Sequence, residues 1–161
     1  MREMIYTPQR KPRKALIYIL FLFLTALLFA ALNINGFPFK WLFQAGMFLC
    51  LALFILTVTR YFIYEYRYII TDENFSIVQK SGNRETILCN LDLSTAVAVY
   101  NKAELKEHKK EIGHIKTSYN YTQNFMSDDI LYYIFEFNGA KCSVAFEADE
   151  FFADGLKARI L

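Results

Sequence analysis

Two stretches decide the reading of this chain: ALIYILFLFLTALLFAAL, residues 15–32, and WLFQAGMFLCLALFILTVT, residues 41–59. Neither contains a charged residue, and only the short segment Asn33–Lys40 separates them. At 1.5 Å rise per residue, a helix of about 20 residues matches the roughly 30 Å hydrocarbon core of a bilayer. Thr25 interrupts the first run, and Gln44, Thr57 and Thr59 the second. The pair reads as a membrane α-helical hairpin. A first spanning helix covers 15–34, an external turn 35–40 and a second spanning helix 41–63.

The flanks of the hairpin set its orientation. Arg2, Arg10, Lys11, Arg13 and Lys14 precede the first span, Arg60 and Arg67 follow the second, and Lys40 is the sole basic residue between them. Lys and Arg concentrate on the cytoplasmic side of membrane helices. Residues 1–14 are therefore expected as a basic cytoplasmic N-terminus, with both termini inside and the protein multi-pass in the plasma (inner) membrane. Gly36 and Pro38 suit the tight outer turn. Trp41 at one edge and Tyr61, Tyr64, Tyr66 and Tyr68 at the other suit interfacial aromatic belts. A signal peptide shares the basic-then-apolar outline, but this run exceeds the usual apolar region and a second span follows closely. Arg10, Lys11, Arg13 and Lys14 are also placed to meet anionic headgroups at the membrane surface, worth on the order of 1 kcal/mol each.

A hydrophobic content of 55% would be high for a soluble domain and follows from the two spans. What remains, residues 65–161, has room for one small domain. The three cysteines, Cys50, Cys89 and Cys142, have no short mutual spacing and read as buried thiols of a reducing compartment.

Past Glu65 the continuous apolarity gives way to short alternating runs. Tyr66–Thr71, Phe75–Lys80 and Arg84–Cys89 are strand-like, with turn signals at Asp72–Asn74 and Ser81–Asn83. Thr95–Tyr100 makes a fourth strand. Lys102–Glu111 has helical composition yet is charged nearly all round, and reads as a long loop or a helical excursion. Ile112–Phe125 is expected to return to strand. Ile130–Phe137 places Leu131, Tyr133, Phe135 and Phe137 on one face, and Asn138-Gly139 is a hairpin signal. Cys142, Val144 and Phe146 then alternate inward along Lys141–Glu147. Asp149 can cap a last helix in which Phe152, Leu156 and Ile160 recur at helical spacing. The expectation is a small antiparallel β barrel or sandwich of six or seven strands, capped by a C-terminal α-helix.

Three stretches carry a resemblance. They are Tyr66–Ser76 leading straight off a spanning helix, the strand pair about Asn138-Gly139, and Phe146–Phe152 opening the final helix. In this order residues 65–161 resemble the bacterial pleckstrin-homology-like (PH-like) domains of small membrane proteins. The resemblance implies a scaffold for binding and assembly, usually without catalysis. Phosphoinositide-gripping members of the wider superfamily carry basic residues in the first strand-to-strand loop. Here that loop, Thr71–Asn74, is acidic, and recognition by that route is not expected.

No catalytic, cofactor-binding or metal-binding residue is assigned. His108 and His114 are six apart, a poor fit to ligation from one helix face, and are expected in solvent. Asp128-Asp129 and Asp149-Glu150 are accounted for by a turn and a helix start, where negative charge is favoured. A nucleophile elbow, a phosphate loop and a dinucleotide fingerprint are all lacking. Lys102, Lys106, Lys109, Lys110 and Lys116 alternate with Glu104, Glu107 and Glu111, which should largely offset them. Nucleic-acid binding is not suggested. With no ionisable residue in either span, an ion or proton path built by this chain alone is not expected.

These observations point to a non-enzymatic, membrane-anchored domain that binds a protein partner or self-associates at the cytoplasmic face. Tyr119, Tyr121 and Phe125 are the candidate contacts. The alternatives are a lipid-sensing or surface-binding module, or an accessory subunit of a membrane transport complex.

Overall fold

A computed structural model describes residues 3–34 and 39–160. Residues 35–38 of the expected external turn, Gly36 and Pro38 among them, lie outside the described residues, as does Arg2, while Lys40 of that turn is instead the first residue of the second helix. The chain divides into two compact units, residues 11–64 and residues 1–10 with 65–161.

The first unit is the hairpin. Helix α1 spans Arg13–Ile34 and α2 spans Lys40–Val58, after which the helix widens into one π-helical turn, Thr59–Ile63. α1 and α2 pack along one another. Gly46 leaves room for a side chain of α1: a Cβ there would lie 2.9 Å from the Phe29 ring. Phe29 in turn meets Phe43 with 6.4 Å between ring centroids. The hydroxyls of Thr25 and Thr57 donate to the carbonyls of Phe21 and Leu53, one turn earlier. Their donors are thus satisfied within their own helices, as an apolar solvent requires. By length and composition both helices are able to cross a membrane.

The second unit is a pair of facing sheets. Its strands are β1 (Met4–Tyr6), β2 (Tyr64–Ile70), β3 (Asn74–Ser81), β4 (Arg84–Asp92), β5 (Ala96–Asn101), β6 (Ile115–Asn120), β7 (Ile130–Phe137) and β8 (Ala140–Glu147). One sheet runs β1-β2-β3-β4 and the other β5-β7-β8-β6. Eight strands among the described residues replace the expected six or seven, because Met4–Tyr6 pairs antiparallel with Tyr68–Ile70. The basic N-terminal segment thus contributes an edge strand, too short for alternation to betray it. β6 corrects a second expectation. It runs parallel to β8, while β1–β2, β3–β4, β5–β7 and β7–β8 pair antiparallel. Helices α3 (Lys102–Glu107) and α4 (Lys109–Ile112) supply the crossover that such a connection needs, carrying the chain from β5 at one sheet edge to β6 at the other. Asn101 starts α3 with a reciprocal capping box to Glu104.

The two sheets are not closed into a barrel. Helix α5 (Glu150–Ile160) packs against both β1 and β5, one edge of each sheet. Asp149 caps it as expected, its carboxylate accepting from Phe152 N at 2.8 Å. Between the sheets lies an aromatic core. Phe75 meets Tyr133 and Phe146 with centroids 5.2 and 4.9 Å apart, and Tyr68 meets Phe146 edge-on. Phe152 and Leu156 of α5 complete it, both essentially without exposure. Burial of each such side chain stabilises by about 1.5–3 kcal/mol. The β7–β8 turn is made by Asn138 and Gly139 at φ 51° and 71°, the left-handed geometry that the Asn-Gly pair permits.

Residues 121–124, expected as strand, are instead an irregular buried segment held by side chains. Tyr66 N donates to Gln123 Oε1 at 2.8 Å, and Tyr68 Oη donates to the Tyr121 carbonyl. Asn124 donates from N and Nδ2 to the two oxygens of Glu147 at 2.6 and 2.7 Å, and from Nδ2 to the Gln9 carbonyl at 2.9 Å. Glu147 is 4% exposed, so these bonds replace its lost hydration.

Candidate functional site

The opposite sheet edges, β4 and β6, are joined by no ladder, and a groove of about 250 Å³ opens beside them. β4 is bulged here: Ile77 pairs with Cys89 and Val78 with Ile87, leaving Leu88 as the extra residue. Leu88, Cys89 and Leu91 form one wall. Phe135 and Phe137 of β7, with Cys142 and Val144 of β8, form the floor and the end. Tyr119 and Tyr121 supply the second wall, their rings stacked 5° from parallel at 6.2 Å. A bulge turns an edge strand away from further pairing and bends it. The groove is thereby left as side-chain surface rather than a closed ladder.

Its chemistry is apolar with protonated rims. Burial pushes the Cys89 thiol up to about 11 and raises the Tyr121 phenol above its usual range. Both groups stay neutral near pH 7, and no carboxylate or amine lines the groove. Such a surface can bury an apolar side chain and exchange hydroxyl hydrogen bonds. Among the described residues no group of three or more His, Cys, Asp and Glu side chains is placed to hold a metal ion.

The structure brings together two of the three expected contact residues. Tyr119 and Tyr121 wall the groove, whereas Phe125 sits half-buried in the irregular loop after it and lines no part of it. Leu88 and Leu91 were not legible as site residues, because the bulge that directs Leu88 into the groove has no sequence mark. The basic residues expected at a membrane surface are all exposed and divide between the units. Arg10 belongs to the sheet unit, where it pairs with Glu65 at 3.0 Å. Lys11 belongs to the hairpin, and Arg13 and Lys14 open α1. His108 departs from its expected place in solvent: it is half-buried, its ring stacked on Tyr100 at 4.9 Å and its Nδ1 3.0 Å from the Glu104 carbonyl. His114 is exposed.

The two-sheet sandwich with its C-terminal helix meets a direct comparison. The profile of the family described as Bacterial PH-like domain (DUF6106) matches residues 1–160. The chain belongs to this bacterial PH-like family. That match includes the hairpin and the N-terminal strand, so both are parts of the PH-like protein that the family describes rather than additions to it. No curated protein and no solved structure matches the PH-like chain.

Proposed function

We propose that this PH-like protein is a non-enzymatic, membrane-anchored module whose sheet unit binds an apolar segment of a protein, either a partner or a second copy, in the groove beside β4 and β6. The observation that carries the reading is the open seam itself. One pair of sheet edges is covered by α5, while the other leaves Leu88, Tyr119, Tyr121 and Phe137 around an uncovered hollow, with Phe137 62% exposed. Uncovered apolar surface of this kind marks interaction sites.

Two helices anchor the module in the cell membrane. Their windows of highest hydropathy are only 17% and 11% buried, whereas the core helix of a soluble protein is mostly buried. Pairing of Met4–Tyr6 with Tyr68–Ile70 supports a same-side placement of the residues before and after the hairpin, since strands on opposite sides of a bilayer cannot pair. The charge bias then puts that side in the cytoplasm. A reporter active only outside the cytoplasm, fused after Leu161, should be silent; activity would overturn this orientation.

The binding reading is tested by purifying tagged full-length protein from its native membranes beside Tyr119→Arg and the control Val97→Arg on β5. Wild type and the control should retain a defined partner, or a second copy by mass measurement, that Tyr119→Arg loses. The same retained set in all three would refute the groove as the binding surface.

A further inference from the structure

Lysines of residues 102–116 gather with Lys141 around one surface. Two adjoining hollows of about 380 and 670 Å³ lie beside α3, α4 and the start of β6. Their linings share Ile112, Gly113 and His114. Leu105, Ile112 and Ile115 make the first one's apolar floor, and Lys106 and Lys109 stand at its rim. Lys116 and Lys141 line the second. Four lysines therefore border this surface, and no carboxylate is among the lining residues of either hollow.

Two of the three acids of the segment have contacts of their own. Glu104 accepts from the Asn101 backbone N–H at 2.8 Å and lies 4.0 Å from Lys157. Glu111 lies 4.0 Å from His108 Nε2. Among the described residues no ion pair involves Lys106, Lys109 or Lys116. A positive rim with no carboxylate among its lining residues creates a field that recruits anionic partners.

We infer that this lysine-rimmed surface binds an extended acidic segment of a protein partner. Charge complementarity chooses the acidic character. The concave apolar floor chooses a polypeptide over a lipid surface, because an apolar side chain between two acidic ones reaches Leu105 and Ile115, whereas a flat headgroup layer does not. This inference rests on the partner-binding reading but uses separate residues, since the two surfaces share no lining residue.

The test uses full-length protein in uncharged phosphatidylcholine nanodiscs and a labelled peptide of alternating glutamate and leucine, read by fluorescence anisotropy. The peptide should bind, the matching serine–leucine peptide should not, and affinity should fall steeply with salt. Charge reversal at both rim positions, Lys106→Glu with Lys109→Glu, should weaken binding about tenfold or more. Reversal at Lys80→Glu on β3 should leave it within about twofold. Equal losses in the two variants would overturn the inference as non-specific attraction. Rim-dependent recruitment to phosphatidylglycerol vesicles without peptide binding would overturn it in favour of lipid. Tyr119→Arg should leave peptide affinity unchanged, so a failure of the groove and a failure of this surface are read separately.

Discussion

Replacing Tyr6 by alanine tests whether the N-terminal strand is an integral part of the sheet unit. The Tyr6 ring lies 5.5 Å from Phe152 of α5 and 6.4 Å from Tyr68 of β2, both of which are buried. Truncating a fully buried aromatic side chain costs about 3–5 kcal/mol. Tyr6 is half-buried, so roughly half of that, about 2 kcal/mol, is expected for Tyr6→Ala. The loss falls on local detachment of β1, which has only three residues of ladder to hold it. At 1.4 kcal/mol per decade, the population with β1 detached should rise about 30-fold. Hydrogen exchange of the full-length protein in detergent micelles reads this directly. Amides of Tyr68–Ile70 that face β1 should exchange about 30-fold faster, Tyr6→Phe should stay near wild type, and the amides of α1 and α2 should not change. Exchange at Tyr68–Ile70 within about twofold of wild type would refute the claim that this packing holds the strand.

Two further outcomes follow from buried groups. Glu147→Ala leaves the buried Asn124 N–H without its acceptor and Nδ2 with only the Gln9 carbonyl, and should cost about 3 kcal/mol, lowering the melting midpoint of the sheet unit by about 10–20 °C, with Glu147→Gln intermediate because one acceptor survives. Thermal circular dichroism at a β-sheet wavelength checks it, and an unchanged midpoint for Glu147→Ala would refute the accounting. Cys89 should resist alkylation: its thiol is raised from 9.0 to about 11, so near pH 8 the thiolate fraction is roughly a hundredfold below that of an ordinary cysteine. The sign also has a stability consequence. A raised folded-state value leaves stability intact below pH 9 and erodes it as pH climbs toward 11, where the unfolded chain ionises first. Iodoacetamide labelling followed by mass spectrometry of the Cys89 peptide gives the profile; a midpoint near 9 would contradict the burial.

Local rules made much of this fold legible. The two helices, the β7–β8 hairpin at Asn138-Gly139 and the Asp149 cap are each dictated by residues close in sequence, and each stands where those rules place it. So does the inward face Cys142, Val144 and Phe146. What escaped depends on residues far apart. Met4–Tyr6 is a strand only because Tyr68–Ile70 lies beside it, and three residues show no periodicity of their own. The irregular course of 121–124 is set by Gln9, Tyr66 and Glu147, whose involvement no spacing announces. In the candidate groove Tyr119 and Tyr121 were visible as an aromatic cluster, but Leu88 enters through a bulge that depends on its pairing with β3. The lysines of α3 and α4 alternate with acids along the chain, and only the fold brings Lys106 and Lys109 to one surface with Lys116 and the distant Lys141.

The salt bridge between Arg10 and Glu65 has a consequence for how the chain can be rebuilt. Its side chains meet at 3.0 Å, although the residues flank the whole of 11–64. In terms of connectivity the hairpin is a guest inserted into the loop between the first two strands of a host sandwich, and insertions at such loops leave the host's own packing intact. A few glycine and serine residues joining Arg10 to Glu65 would restore an ordinary β-hairpin connection, and the resulting domain would keep all eight strands. Simple removal of the first 64 residues would instead strip β1 from the sheet and leave β2 as a bare edge beside an uncovered face of α5.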